Sequence, residues 1–329
     1  MPSRLVSKHP WVVGAAYQHS SLGDTVFDWL LDRSIVFSFD RTGFRRHSRS
    51  FADEPERDLH GKDVLITGGT TGIGFSLAQT LAQKGARCML WARRQEAGEK
   101  AAAAVNGEFT SVDLGDLAAV GQAARSYAPE ALAAVVLNAG AMPLDRRLTP
   151  QDHELIWASQ VLGHLLILRI LRQRGLLDVQ TRVIWVSSGG MYTQRLDLSD
   201  LRCDRSYQRH TVYANAKRAQ VVLASHLATE WSDVPMSSMH PGWVQTDAVK
   251  HSMPLFHAVT RPILRTPEEG ADTLVWLTSR EQTPSTGCFW LDRAAQPEHL
   301  RDKTRATSQT RDALIDLVMD QTQPFLEAP

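Results

Sequence analysis

The sequence predicts an α/β fold, a doubly wound parallel sheet in a three-layer α/β/α arrangement. Two observations carry this prediction. From residue 62 onward, short apolar runs that are polar on neither side alternate with segments of helical period, as strands covered on both faces do. The first run ends in a glycine-rich turn, "TGGTTGIG" at 67–74, before a helical segment begins. With 43% hydrophobic and 22% charged residues, the 329-residue chain can bury a core of that size.

The elements follow in order. Residues 1–58 form an N-terminal extension. Within it, 25–51 mixes bulky apolar side chains with Arg33, Arg41, Arg45, Arg46, His47 and Arg49. That composition suits either one or two helices docking on the main domain, or a segment on a membrane surface with its arginines toward the headgroups. "ADEPERD" at 52–58 reads as a polar linker. The main domain spans 59–295. Strands are expected in "KDVLITGG", "RCMLWARR", "GEFTSVDL", "LAAVVLNAG", "TRVIWVSS", "MSSMHPGW" and "GCFWLD", with helices between them. The longest helix covers "TPQDHELIWASQVLGHLLILRILRQRG". Each crossover is expected to be right-handed. Residues 296–329 read as a polar tail in which "RDALIDLVMDQTQPFL" has the period of a short amphipathic helix.

Composition narrows the function. Thirty-six Lys and Arg balance 36 Asp and Glu, which argues against a nucleic-acid partner, since such domains carry a basic excess. Cys88, Cys203 and Cys288 are far apart and odd in number. They suggest neither a disulfide framework nor a metal site, and they fit a reducing, cytoplasmic compartment. No apolar run approaches eighteen residues, and the N-terminus lacks a signal-peptide pattern. Membrane contact is therefore expected only through residues 25–51.

The turn after the first strand reads as a phosphate cradle. Thr67 ends the strand. Gly68 allows a tight turn, Gly72 lets the backbone approach a pyrophosphate, and Gly74 lets the helix pack closely on the strand. Thr70 and Ile73 lie within the same turn, and the helix N-terminus offers free N–H groups. The end of the second strand selects the dinucleotide. Ala92 takes the position where an acid would hold a ribose 2′-hydroxyl, and Arg93 and Arg94 follow. Guanidinium forks suit a 2′-phosphate, so NADP(H) is expected ahead of NAD(H), with Arg93 ahead of Arg94 as the contact. The plainer reading is two solvated arginines at a helix start.

These segments, with "NAG" at 138–140, "VSS" at 186–188, "YANAK" at 213–217 and "HPGWVQT" at 240–246, resemble the short-chain dehydrogenase/reductase family over about residues 60–295. The resemblance implies a Rossmann-type fold and an oxidoreductase that interconverts a carbonyl and an alcohol on a small molecule. It implies that Asp113, with Leu114 beside it, meets the adenine, and that Asn138, Ala139 and Gly140 line the cofactor. Ser188 would hold the substrate oxygen, Tyr213 would be the general acid/base, and Lys217 would bind the nicotinamide ribose and lower the pKa of Tyr213. Pro241, Gly242, Val244 and Thr246 would hold the nicotinamide. A homo-oligomer is also implied. Plainer readings stand beside these. Asp113 could cap the helix beginning near Leu117, Ser187 could take the place of Ser188, and Pro241–Gly242 could be only a turn. His240 reads as structural, and Trp243 as lining a pocket or packing beside the cofactor.

Physical chemistry gives Tyr213 and Lys217 a reason to be paired. A free tyrosine titrates near 10, and a positive charge within about 4–6 Å lowers that by roughly 1–3 units. Four positions apart on a helix, the two side chains share a face.

Two features depart from the family pattern. Gln160 falls where the family places an asparagine that completes a proton relay. That motivates an alternative function, an NADP(H)-binding protein with little turnover, serving as sensor or scaffold. Ser188 and Tyr213 are also 25 positions apart, and the segment between them is expected to be a lid, with Gly189 and Gly190 at its base and Met191, Tyr192, Leu196 and Tyr207 in it. Residues 247–264, with Met253, Leu255, Phe256 and Val259, suggest a second wall and an apolar, lipid-like substrate.

Overall fold

The computed structural model describes residues 38–246, 258 and 260–327. The expected apolar runs become β1 (Asp63–Thr67), β2 (Arg87–Ala92), β3 (Glu108–Ser111), β4 (Leu132–Leu137), β5 (Arg182–Val186), β6 (Met236–Met239) and β7 (Phe289–Leu291). An eighth strand, β8 (Ala294–Gln296), was not expected. It returns antiparallel to β7 through Asp292 and Arg293, both at positive φ. That is the geometry of a two-residue hairpin turn, formed without the glycine that signals one.

The sheet order is β3-β2-β1-β4-β5-β6-β7-β8, and every pair before the last is parallel. From β1 the chain first adds strands on one side, β2 and β3, and then on the other, starting with β4, which opens a crevice at the C-terminal ends of β1 and β4. The helices are α1 (Arg41–His47), α2 (Gly72–Gln83), α3 (Gln95–Ala104), α4 (Leu117–Ser126), α5 (Leu155–Gln173), α6 (Arg209–Glu230), α7 (Pro267–Ser279) and α8 (Ser308–Thr322).

Alternation along each strand builds two cores. Leu65, Val135, Leu137, Val183 and Trp185 point to the layer holding α4, α5, α6 and α8. Val64, Ile66, Ala134, Val136, Ile184 and Val186 point to the layer holding α2, α3 and α7. The sheet is therefore covered on both faces, and the three-layer doubly wound α/β fold is established.

Helix α5 is long and apolar enough to cross a membrane by composition, with a mean hydropathy of 1.4. In the fold, 78% of that stretch is buried against the sheet and neighbouring helices, so it is a core helix. In the C-terminal segment a helix, α8, covers most of "RDALIDLVMDQTQPFL", and it packs on the domain. Leu314, Ile315 and Val318 of α8 enter the first core, and Arg169 of α5 donates to Met319 O and Thr322 Oγ1 at 2.7 and 2.6 Å.

Of the 25–51 segment, residues 25–37 lie outside the described residues. The rest docks on the protein. Asp40 caps α1 by accepting from Gly43 N at 2.9 Å, and Phe39 is 6% exposed. The expected lid is likewise packed down. Met191, Tyr192 and Leu196 are buried. Arg218, itself fully buried, donates to Met191 O at 2.7 Å and Gln194 O at 3.3 Å. Tyr192 and Tyr207 hydroxyls donate to Pro297 O and Pro143 O. Sequence length suggested a cover over the pocket, but its apolar residues found partners in the fold instead. Met253, Leu255, Phe256 and Val259 lie outside the described residues.

Candidate active site

A cavity of about 580 Å³ sits at the crevice between the strand ends. Its wall includes Gly68, Thr70, Gly72, Ile73 and Gly74 from the first turn, and Arg93 and Arg94 after β2. Asp113, Leu114, Asn138, Ala139 and Gly140 follow along the wall, with Ser188, Tyr213 and Lys217 beyond them. Pro241, Gly242, Val244 and Thr246 close it. Two sequence-predicted residues stand behind the wall rather than in it: Thr67 and Gln160, both wholly buried.

The glycines of the first turn are there because nothing larger fits. Gly68 has φ +66°, and a Cβ on it would lie 2.9 Å from Ala139 Cα. A Cβ on Gly74 would lie 2.5 Å from Gly68 O, so the start of α2 closes directly on the turn. Asn138 secures this corner by donating from Nδ2 to Thr67 O at 3.0 Å and Gly68 O at 3.1 Å. The Thr67 hydroxyl accepts from Ala139 N at 3.0 Å and lies 3.0 Å from His164 Nε2. His164 Nδ1 faces Gln160 O at 3.1 Å. A carbonyl only accepts, so Nδ1 carries the proton and Nε2 accepts from Thr67. Burial, with Lys217 nearby, pushes His164 down to about 3, so the ring is neutral and this tautomer is fixed. Sequence reading passed over His164; its one signal was a polar ring inside an otherwise apolar helix.

At the other end of the cavity, Asp113 does not cap the following helix. Asp116 does, accepting from Ala118 N at 3.1 Å. Asp113 Oδ1 accepts from Gly115 N at 2.9 Å, and Oδ2 lies 4.0 Å from Arg93 Nη1. Arg93 and Arg94 are exposed at the rim.

The two serines differ in their partners. Ser187 Oγ donates to Lys217 O at 2.8 Å and is buried. Ser188 is the one that hydrogen-bonds Tyr213, and its Oγ also accepts from Gly190 N at 3.2 Å. His240 is buried, accepts from Gly242 N through Nδ1 at 3.3 Å, and is pushed down to about 3 chiefly by burial, so its ring is neutral.

Two influences act on the Tyr213 phenol. Burial pushes Tyr213 up to about 12, and the opposing influence is its hydrogen bond with Ser188. Lys217 Nζ lies 5.4 Å from the Tyr213 ring centre and donates to Val186 O at 2.8 Å. Burial also pushes Lys217 down to about 7, so near neutral pH it carries only part of a charge.

Gln160 lies in a π-helical turn, Ala158–Leu162, inside α5, an irregularity frequent at functional sites. Its Nε2 donates to Ala141 O at 2.6 Å. Its backbone oxygen is taken by Gln220 Nε2 at 2.7 Å as well as by His164. Its buried Oε1 has no partner among the described residues. A Cβ on Gly140 would lie 3.2 Å from that Oε1 and 3.6 Å from Lys217 Nζ, so Gly140 leaves a gap that both polar groups face.

The Lys217 shift has a measurable consequence. An amine that stays charged in the unfolded chain to about 10.4 and becomes neutral in the folded chain above about 7 binds more protons unfolded between those values. Stability therefore rises with pH in that window. Urea unfolding at pH 7, 8 and 9 is expected to show a larger gain for the native chain than for Lys217→Met; equal gains would contradict the shift.

Comparison with known proteins places the chain. The family profile described as short chain dehydrogenase matches residues 62–254. The chain is 32% identical over 300 residues to dehydrogenase/reductase SDR family member 12 of Bos taurus, covering 87% of this chain and 95% of that one. It is 31% identical over 248 residues to human retinol dehydrogenase 12, covering 71% and 78%. A solved structure from Mycobacterium paratuberculosis superposes with TM-score 0.65 at 25% identity, covering 82% of this chain and 96% of that one. The chain belongs to the short-chain dehydrogenase/reductase family of oxidoreductases.

Proposed function

We propose that this oxidoreductase is NADP(H)-dependent and interconverts a ketone or aldehyde with an alcohol, with Tyr213 as general acid/base. The observation that carries the reading is a single cavity with a glycine cradle along it, two exposed arginines at one rim, and Ser188, Tyr213 and Lys217 together in its wall.

The residues fit the cofactor they imply. Gly68, Gly72 and Gly74 line the cavity with backbone alone, and the N–H groups opening α2 suit a pyrophosphate. Arg93 and Arg94 suit a 2′-phosphate, and Ala92 supplies no carboxylate to repel one. Asp113 lies where the adenine would reach, and the Pro241–Thr246 turn, with Val244, would hold the nicotinamide. When bound, NADPH supplies the hydride.

The protein's own part is to position and protonate. Ser188 and Tyr213 hydroxyls both donate to the substrate oxygen, where charge develops as the carbonyl is reduced. A phenol held protonated at neutral pH is the acid that reduction needs, and Tyr213 passes its proton to that oxygen. Lys217 donates to the ribose hydroxyls. Its charge, which the neighbouring phenolate favours, stabilises Tyr213 after the proton has left. Met142, Trp243 and Leu264 give the cavity an apolar share, which suits an apolar alcohol or ketone, as does similarity to a retinol dehydrogenase.

Two measurements test this. Tyr213→Phe is expected to lower kcat for NADPH-linked carbonyl reduction by about 10²–10⁴-fold with NADPH affinity little changed; unchanged turnover would remove Tyr213 from the chemistry and favour the cofactor-binding scaffold. Arg93→Ala is expected to weaken NADPH binding by about tenfold and NADH binding by far less; an equal loss for both would assign Arg93 no part in choosing the cofactor.

A further inference from the structure

One part of the chain outside the family's matched region reaches the reaction site. Phe39 lies ahead of the first strand by more than twenty positions, yet its ring sits edge-on to His240 with centres 4.4 Å apart. It also packs near Trp243 and Tyr192, each at 6.4 Å. A Cβ on Gly189 would lie 2.5 Å from Phe39 Cε2 and 2.7 Å from His240 Nε2, so the residue after Ser188 packs directly on this ring. The backbone takes part too: Trp243 N donates to Phe39 O at 2.7 Å.

A single buried guanidinium holds this segment in place. Arg265, 1% exposed, pairs with Asp292 through both terminal nitrogens, Nη2 to Oδ2 at 2.8 Å. Its Nε donates to Phe39 O at 3.0 Å and Asp40 O at 3.1 Å, and its Nη2 to Ser38 O at 3.0 Å. Its Nη1 reaches Pro241 O at 3.4 Å. Gly242, at φ +80°, lies against the same guanidinium, where a Cβ would clash. Arg265 is thus shared by the extension, the Pro241–Gly242 turn and the hairpin at Asp292.

We propose that Phe39 is a positioning residue for the reaction: clamped by Arg265, it wedges the Ser188–Gly190 turn against the His240–Val244 turn and sets their separation. Ser188 sits on the first turn, and the second is the one assigned to the nicotinamide. The two follow the paired strands β5 and β6, with Ser187 N donating to Met239 O at 2.8 Å, and Phe39 packs on both beyond that pairing, so the wedge sets the distance between the substrate-oxygen donor and the hydride source. A displacement near 1 Å at such a distance costs about 10²-fold in rate. The kinetic consequence rests on the proposed reductase reading; the positioning itself does not.

The test pairs kinetics with amide exchange on the full chain. Phe39→Ala is expected to lower kcat about tenfold or more while the Kd for NADPH, set mainly at the cradle and the arginines, moves less than about threefold. Phe39→Leu is expected to recover most of the loss. Leu314→Ala, a core truncation in α8 remote from the turns, is the control for lost stability and is expected to keep kcat. A Phe39→Ala variant within twofold of native kcat, or a Leu314→Ala variant that loses as much, would overturn the proposal. Exchange decides the matter without turnover. In Phe39→Ala the Trp243 and Gly190 amides are expected to exchange about tenfold faster, with α2 unaffected. No change at those amides would overturn the wedge even in an active enzyme. Faster exchange in a chain that reduces no carbonyl would leave the wedge standing and refute the reductase reading instead.

Discussion

The arrangement depends on the join between the ends of β1 and β4. These are neighbouring strands whose following segments leave to opposite faces of the sheet, which opens the crevice. An open corner between two strands exposes backbone groups that must find partners. Asn138 supplies them for Thr67 O and Gly68 O, and the Thr67 hydroxyl supplies one for Ala139 N. Neutral His164 then holds that hydroxyl from within the longest apolar helix. The glycine turn, the Asn138–Gly140 wall and helix α5 are thereby one hydrogen-bonded unit. The glycine-turn end of the cavity is thereby tied by hydrogen bonds to the end that carries Gln160.

The second half of the site rests on burial. Lys217 lies on α6, packed under β5 with Val186 O as its acceptor and no ion-pair partner among the described residues. A buried ammonium of that kind is costly, and its pKa falls accordingly. Tyr213 shows the mirror effect, its phenol held neutral by the same surroundings. Both groups are thus held away from their charged forms in the free protein. An anionic dinucleotide would stabilise the Lys217 ammonium, and a nascent oxyanion would take up the proton that Tyr213 holds. The site reads as electrostatically prepared for ligands that bring charge rather than charged in advance.

Much of this was legible in the sequence because it is local. Strand runs, the glycine turn, the serine pair and Tyr213–Lys217 are short patterns whose meaning depends on a few neighbouring positions. The residues that were missed or misread depend on partners far away. Phe39 meets His240, and Arg265 reaches back to residues 38–40, more than 220 positions away. The 189–211 segment looked like a lid because its anchors, Arg218 and the Pro297 carbonyl, lie outside it. The burial that raises Tyr213 was not legible, because charge proximity is visible in a four-residue spacing, whereas desolvation is a property of the whole fold.

The central claim is that this cavity aligns a nicotinamide with a carbonyl that Tyr213 protonates. The direct measurement is isotope transfer. NADPH deuterated at both C4 positions is supplied with a panel of apolar ketones and aldehydes, and the alcohols formed are weighed by mass spectrometry. The account predicts one deuterium on the carbinol carbon with the native chain and none above background with Tyr213→Phe. Products without deuterium, or equal deuterium from both proteins, would contradict it.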